Sequence, residues 1–264
     1  MLRNLLYNCY APISNKEWLL NVEKLNSLSS IFNGRKIVII RQDEGLVPTS
    51  LVVKAFTFEA DFIELANDAK LQETAGFVNT LRRLRSLRPD EITFYAHTKG
   101  VSHGKADHRL HPVRVWRNTM YEQCLSDPDK IDKLLQTYAC CGCFRNNDAN
   151  VGWHFAGTFW WVNHEKLFSK QWETIRPSPY GVENYLPLHF SREEGYCLYG
   201  ADNYSLYTAP WPFVCKNGHV FKNASGPWRS HGHWPLHARC PVCKRRARPV
   251  ENPRGYSTQP PGLK

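Results

Sequence analysis

Nowhere in the chain do eighteen apolar residues follow one another, so no segment reads as a transmembrane helix. The opening residues, MLRNLLYNCYAP, are too short and too polar for a secretory leader. A disulfide framework is also missing, because the nine cysteines are odd in number and are not spaced as one. A reducing, cytoplasmic setting is the expectation. There is no internal repeat. Acid is scarce in one region only: residues 211–264 hold ten Lys or Arg and a single acid, Glu251. Residues 1–210 hold 24 basic and 23 acidic side chains, so all but one unit of the net charge of +10 belongs to the tail. Attraction to an anionic partner must therefore be argued from the tail.

What is present begins with size. The 264 residues suffice for one large domain and a small appendage. Leu2–Tyr10 reads as a strand. A helix follows, capped by Ser14 or Asn15, with Trp18, Val22, Leu25 and Leu28 on one face. Lys36–Arg41 is a second strand, and this strand–helix–strand unit opens an α/β domain with parallel strands. Phe62–Leu65 and Asp90–Ala96 are further strands, with a helix expected over Glu73–Leu87 between them. The arginines Arg82, Arg83 and Arg85 fall mostly off its apolar stripe and read as a solvated face. Helices are expected over Val113–Cys124 and from Asp127-Pro128 to Leu135, and a strand over Tyr138–Phe144. Cys140, Cys141 and Cys143 lie inside that apolar strand without a fourth ligand and read as buried thiols.

Ligands in such sheets sit beyond the carboxyl ends of strands. Tyr10 and Asp43 lie just past two such ends. The strand Asp90–Ala96 runs into His97-Thr98-Lys99-Gly100. His97 and Lys99 can neutralise a diphosphate, and Gly100 lets backbone approach it; the plainer reading is a capped strand end. The polar loop VSHGKADHRLHP that follows is a candidate lid.

The stretch from Trp153 to Pro187 combines an aromatic strand, expected over Phe155–Val162, with the carboxylate Glu183 in YGVENYLP. Packing alone accounts for many such strands. A close glycine and an acid also suit a sugar site, where rings stack on the C–H face and the carboxylate takes a hydroxyl proton.

Composition changes near Ala209. Residues 210–250 carry Cys215 and His219 in CKNGH, then Cys240 and Cys243 in CPVC. Two clusters of soft ligands at this spacing suit a tetrahedral structural zinc site, with His231, His233 or His237 as substitutes for His219. So few apolar residues need such a staple to fold. The pattern resembles zinc-ribbon modules. Lys244, Arg245, Arg246 and Arg248 follow the last ligand, with Trp228 and Trp234 nearby; they fit an anionic polymer such as nucleic acid, or a solubilising surface. Residues 251–264 read as a disordered tail.

Taken together, LLYNCYAP, GRKIVII, FYAHTKG, VWRNTM, WHFAGTFWWVN and YGVENYLP resemble the GT-A-type glycosyltransferases, within them the bacterial group similar to rhamnan-synthesis proteins. The resemblance covers roughly residues 2–205. It implies a GT-A-like, mostly parallel sheet over residues 1–209 and a nucleotide-sugar donor over the first strands. The acceptor, a saccharide or other hydroxyl compound, would lie near the aromatic strand. On that basis Glu183 is the general base, Tyr10, Asp43, His97 and Lys99 contact the donor, and Trp160 and Trp161 shape the acceptor side, though only one of the two can face it if the strand alternates. One departure stands out: many of these enzymes have Asp-x-Asp where this chain has His97-Thr98-Lys99, so Mn2+ or Mg2+ on the donor diphosphate needs another acid, such as Asp107 or Asp202, or is replaced by the cations. The rival reading is a non-catalytic protein that binds nucleic acid or another anion through the basic ribbon.

Overall fold

Leu2–Cys9 is buried at every position from Asn4 onward, as a strand covered on both faces must be. It is β1 of the structure, a computed structural model that describes residues 1–102, 110–148 and 152–200 and four short strands between 212 and 249. Chain order continues with α1 (Glu17–Asn26), β2 (Lys36–Gln42), α2 (Thr49–Ala55), β3 (Asp61–Ala66), α3 (Phe77–Leu84) and β4 (Glu91–His97). Then come α4 (Leu110–Leu125), α5 (Pro128–Thr137), β5 (Cys140–Cys143), β6 (Arg145–Asp148), β7 (Gly152–Phe155) and β8 (Trp160–Asn163). Helices α6 (His164–Phe168) and α7 (Tyr185–His189) precede β9 (Gly195–Tyr199).

Seven strands form one sheet in the order β3-β2-β1-β4-β8-β5-β9. The first four run parallel, β8 is antiparallel to both β4 and β5, and β9 is parallel to β5. This is an α/β fold with a mostly parallel sheet flanked by helices, compatible with a Rossmann-like arrangement. Alternation along each strand splits the core between two faces. Leu5, Tyr7, Val38, Phe94 and Trp161 pack with α1, α4 and α5 on one side. Leu6, Ile39, Tyr95 and Trp160 pack with α3, α6 and α7 on the other. Cys140, Cys141 and Cys143 are buried thiols, as expected, with the Cys143 Sγ 3.8 Å from that of Cys124.

Two expected elements are broken. The helix expected over Glu73–Leu87 is a 3₁₀ turn at Gln72–Thr74 followed by α3. Ala75 is extended and Gly76 sits at φ +75°, left-handed, so no helix runs through them. The aromatic strand expected over Phe155–Val162 is split into β7 and β8 by left-handed Gly157 (φ +92°) and Thr158 (φ +61°).

Strands β10 (Pro212–Cys215), β11 (Val220–Lys222), β12 (Ala238–Arg239) and β13 (Arg246–Pro249) form a separate sheet in the order β11-β10-β13-β12. No strand is shared with the first sheet. The boundary expected near Ala209, most of the expected lid loop, and the tail at 251–264 lie outside the described residues. Among the described residues no helix is long and apolar enough to cross a membrane.

Far from the carboxyl ends, a buried polar knot ties β4 to α6. His164 is fully buried, its Nε2 2.5 Å from the Thr93 hydroxyl and its Nδ1 3.7 Å from the Glu91 carboxylate, which accepts from Asn4. Burial holds the imidazole well below its ordinary pKa, so the folded protein keeps it neutral where the unfolded chain would protonate it. Stability on this account is complete above about pH 6.5 and is lost as the pH falls, by up to about 1.4 kcal/mol per unit. Thermal melts of the wild type should therefore fall between pH 7 and 5, and His164→Gln should show a shallower decline. An equally steep decline in the variant would remove the knot as the cause.

Candidate functional site

The carboxyl ends of β1, β2, β3 and β4 meet at one edge of the sheet. β1 lies between β2 and β4, and the chain leaves it toward β2 and later returns on the other side as β4. A crevice opens where strand order reverses in this way. Here it is a cavity of about 380 Å³ lined by, among others, Asn8, Tyr10, Arg41, Glu73, His97 and Lys99.

Thr98 fastens the two central strand ends. Its hydroxyl accepts from the Tyr10 amide (2.9 Å) and donates to the Tyr10 carbonyl (3.0 Å), while its own amide donates to the Asn8 carbonyl (3.1 Å). Thr98 is buried, so in His97-Thr98-Lys99 the threonine is structural and the flanking cations meet the cavity. Buried Asn21 on α1 grips Lys99 by both backbone groups, accepting from its amide and donating to its carbonyl. The Lys99 ammonium lies 4.6 Å from the Trp116 ring centre, a cation–π contact. Burial pushes the Lys99 pKa down, and the Glu183 and Glu73 carboxylates push it back up.

His97 is held on both sides. Its Nε2 is 3.1 Å from the Gly157 carbonyl and its Nδ1 is 3.4 Å from a Glu73 carboxylate oxygen. Burial lowers its pKa, opposed mainly by Glu73 and also by the Gly157 carbonyl and Glu183. The left-handed turn that splits the aromatic strand is therefore what aims Gly157 at His97. A side chain at Gly157 would also strike the Met120 sulfur, at 2.8 Å from its Cβ.

Glu183 comes from the turn that enters α7 and is partly exposed, with its carboxylate 3.7 Å from His154 Nε2. It acts electrostatically on both His97 and Lys99, so these three residues singled out from the sequence influence one another in the fold. Tyr10 lines the same cavity. Asp43 is exposed at the rim and accepts from Asn67, whose side chain lines the cavity.

The tryptophans are a correction. Trp160 and Trp161 point to opposite faces of the sheet, and both are buried. Trp160 stacks on Tyr95 (5.1 Å between ring centres), and Trp161 donates to the Cys124 carbonyl while packing on Phe94. Neither ring presents a face to an acceptor; both are core.

Glu73 and Arg41 are cavity residues that the sequence reading did not select. The hydrophobic pattern puts Glu73 at the start of a helix. The turn instead lays it over the sheet, accepting from the buried Tyr95 hydroxyl at 2.7 Å. Arg41 is buried and donates to the Glu73 and Ala75 carbonyls, pinning this turn from below. The signal was Ala75-Gly76 ahead of the apolar stripe, a helix start rather than a helix interior. Thr74 then joins the turn to the segment carrying Glu183: its hydroxyl donates to the Ser178 carbonyl (2.7 Å), and a side chain at Gly181 would meet that hydroxyl at 2.5 Å.

Among the described residues no three His, Cys, Asp or Glu side chains are grouped to hold a metal. Of the expected zinc ligands, Cys215 ends β10, and His219, Cys240 and Cys243 lie outside the described residues, as do Asp107 and Asp202. Cys215 pairs with Ala247, and Arg239 at the end of β12 pairs with Arg246. The strand ends adjoining both ligand clusters are therefore at one end of one sheet.

No protein-family model matches the chain, and no curated protein is significantly similar to it.

Proposed function

We propose that the chain is a glycosyltransferase with a GT-A-like domain, moving a sugar from a nucleotide-sugar donor to an acceptor hydroxyl. The observation that carries this reading is that His97 and Lys99 line a cavity where strand order reverses, with the Glu183 carboxylate near enough to act electrostatically on both. One carboxylate beside two cationic groups is the set that this transfer needs. Glu183 takes the proton of the acceptor hydroxyl as its oxygen bonds to the anomeric carbon. The bond from that carbon to the diphosphate breaks as the new one forms, with inversion, and the electron pair leaves on the nucleoside diphosphate. Lys99 and His97 stabilise that negative charge from a desolvated wall, where a fixed charge acts more strongly than in water. Tyr10 lies where the nucleoside would enter, and Asp43 reaches it through Asn67. Mn2+ or Mg2+ would add charge neutralisation at the diphosphate; the described side chains supply cations at that point instead.

Calorimetric titration of nucleotide sugars and nucleoside diphosphates, with and without manganese, tests the reading; failure of every donor to bind the folded protein would overturn it. With a donor in hand, Glu183→Gln should lower turnover by about 10²–10⁴-fold while leaving nucleoside diphosphate affinity unchanged. Wild-type turnover in that variant would remove Glu183 as the base.

We further propose that residues 210–250 hold a structural zinc ion through Cys215, His219, Cys240 and Cys243. The support is the pairing that gathers both clusters' adjoining strand ends at one end of a four-stranded sheet. A closed set of three thiolates and one imidazole would staple this sheet and leave no open position for catalysis. The basic residues around it suit an anionic polymer, the rival account of the chain's activity. Elemental analysis of the full chain should find about one zinc per molecule, and Cys243→Ser should lose it. Full zinc occupancy in that variant would exclude Cys243 as a ligand.

A further inference from the structure

His97 has an acceptor at each ring nitrogen: the Glu73 carboxylate at Nδ1 and the Gly157 carbonyl at Nε2. A neutral imidazole carries one N–H, so one nitrogen would then direct a lone pair at an oxygen. A carboxylate 3.4 Å from Nδ1 favours the doubly protonated ring, against the burial that lowers the His97 pKa overall. The surroundings hold both oxygens in place. Glu73 is held by the buried Tyr95 hydroxyl, and its turn is pinned by buried Arg41. Gly157 is fixed by the left-handed turn between β7 and β8. The other charged groups acting on His97 among the described residues are Lys99, which disfavours a second cation, and Glu183, which favours it.

We propose that Glu73 is a positioning residue that raises the proton affinity of His97 against its burial, so that below the His97 midpoint the two form a proton-bearing, electrically neutral pair in the wall of the cavity. The inference deepens the glycosyltransferase reading, on which its ligand, a nucleoside diphosphate, rests. With its proton the pair leaves the Lys99 charge uncancelled for the diphosphate. Loss of the proton leaves a net negative charge beside the ligand and repels it. Affinity for a diphosphate therefore falls as the pH rises through the His97 midpoint. Burial works against the imidazolium, and Glu73 is the first of the groups that oppose burial.

The test is an NMR titration of the His97 ring protons in the full ligand-free chain, assigned with His97→Gln. Glu73→Gln should move the midpoint down by one unit or more, a tenfold change in proton affinity. Tyr95→Phe removes the hydrogen bond that competes for the Glu73 carboxylate and should move it up, which keeps the test open should Glu73→Gln fold poorly. Calorimetry with UDP as probe should show the falling limb of affinity displaced in the same direction in each variant, and absent in His97→Gln. An unchanged midpoint in folded Glu73→Gln or Tyr95→Phe overturns the proposal. Shifted midpoints without any binding of UDP or other donors would uphold the pair and overturn the nucleotide-sugar reading instead.

Discussion

The hydroxyl of Thr98 bonds to both backbone groups of Tyr10, and from that clamp the rest of the site hangs. It keeps the ends of β1 and β4 together at the point where the chain's path through the sheet reverses. A parallel sheet covered on both faces has its open backbone groups at its strand ends. If those ends splayed, Asn8, Tyr10, His97 and Lys99 would no longer border one cavity. A buried threonine between two cavity-lining residues is thus the member of His97-Thr98-Lys99 on which the placement of the other two depends.

The second constraint is charge in a desolvated wall. Lys99 and His97 are both pushed toward their neutral forms by burial. A cation there without compensation would cost several kcal/mol or neutralise itself. Glu73 and Glu183 oppose that tendency, the first chiefly at His97 and the second chiefly at Lys99. Each of the two buried nitrogens therefore has a carboxylate that favours its charged form against burial. Preorganised charge of this kind needs little rearrangement when negative charge develops.

The α/β sheet was legible because its strands carry their signal locally. KIVIIR and DEITFYA are apolar runs bounded by turn residues, and each became a strand within a residue or two of its expected limits. His97, Lys99 and Tyr10 were legible for the same reason, since a residue just past a strand end has a known place in such a sheet. What stayed hidden depended on backbone torsions. Gly76 and Gly157 adopt left-handed conformations that periodicity does not register, and each breaks an element that the hydrophobic pattern would continue. Glu73 went unselected for that reason. An acceptor-facing tryptophan at Trp160 or Trp161 is what the sequence suggests, because an aromatic strand shows its composition and not its neighbours. Only the packing of helices on both faces decides that their rings are core.

The two breaks have a common consequence. The Gly76 break frees the turn that carries Glu73, and the Gly157 break supplies the carbonyl that meets the other side of His97. Thr74 then fastens the Glu73 turn to Ser178 and Gly181, a few residues before Glu183. Both carboxylates are thereby carried on segments tied to each other by short contacts rather than projected on long mobile side chains. Shifting one segment would drag the other, so the positions of Glu73 and Glu183 relative to His97 and Lys99 are set by the fold. An error of about 1 Å in such a separation can cost on the order of 10²-fold in rate. That sensitivity gives a physical reason for placing both acids on turns locked across the sheet edge, at the expense of a regular helix and an unbroken strand.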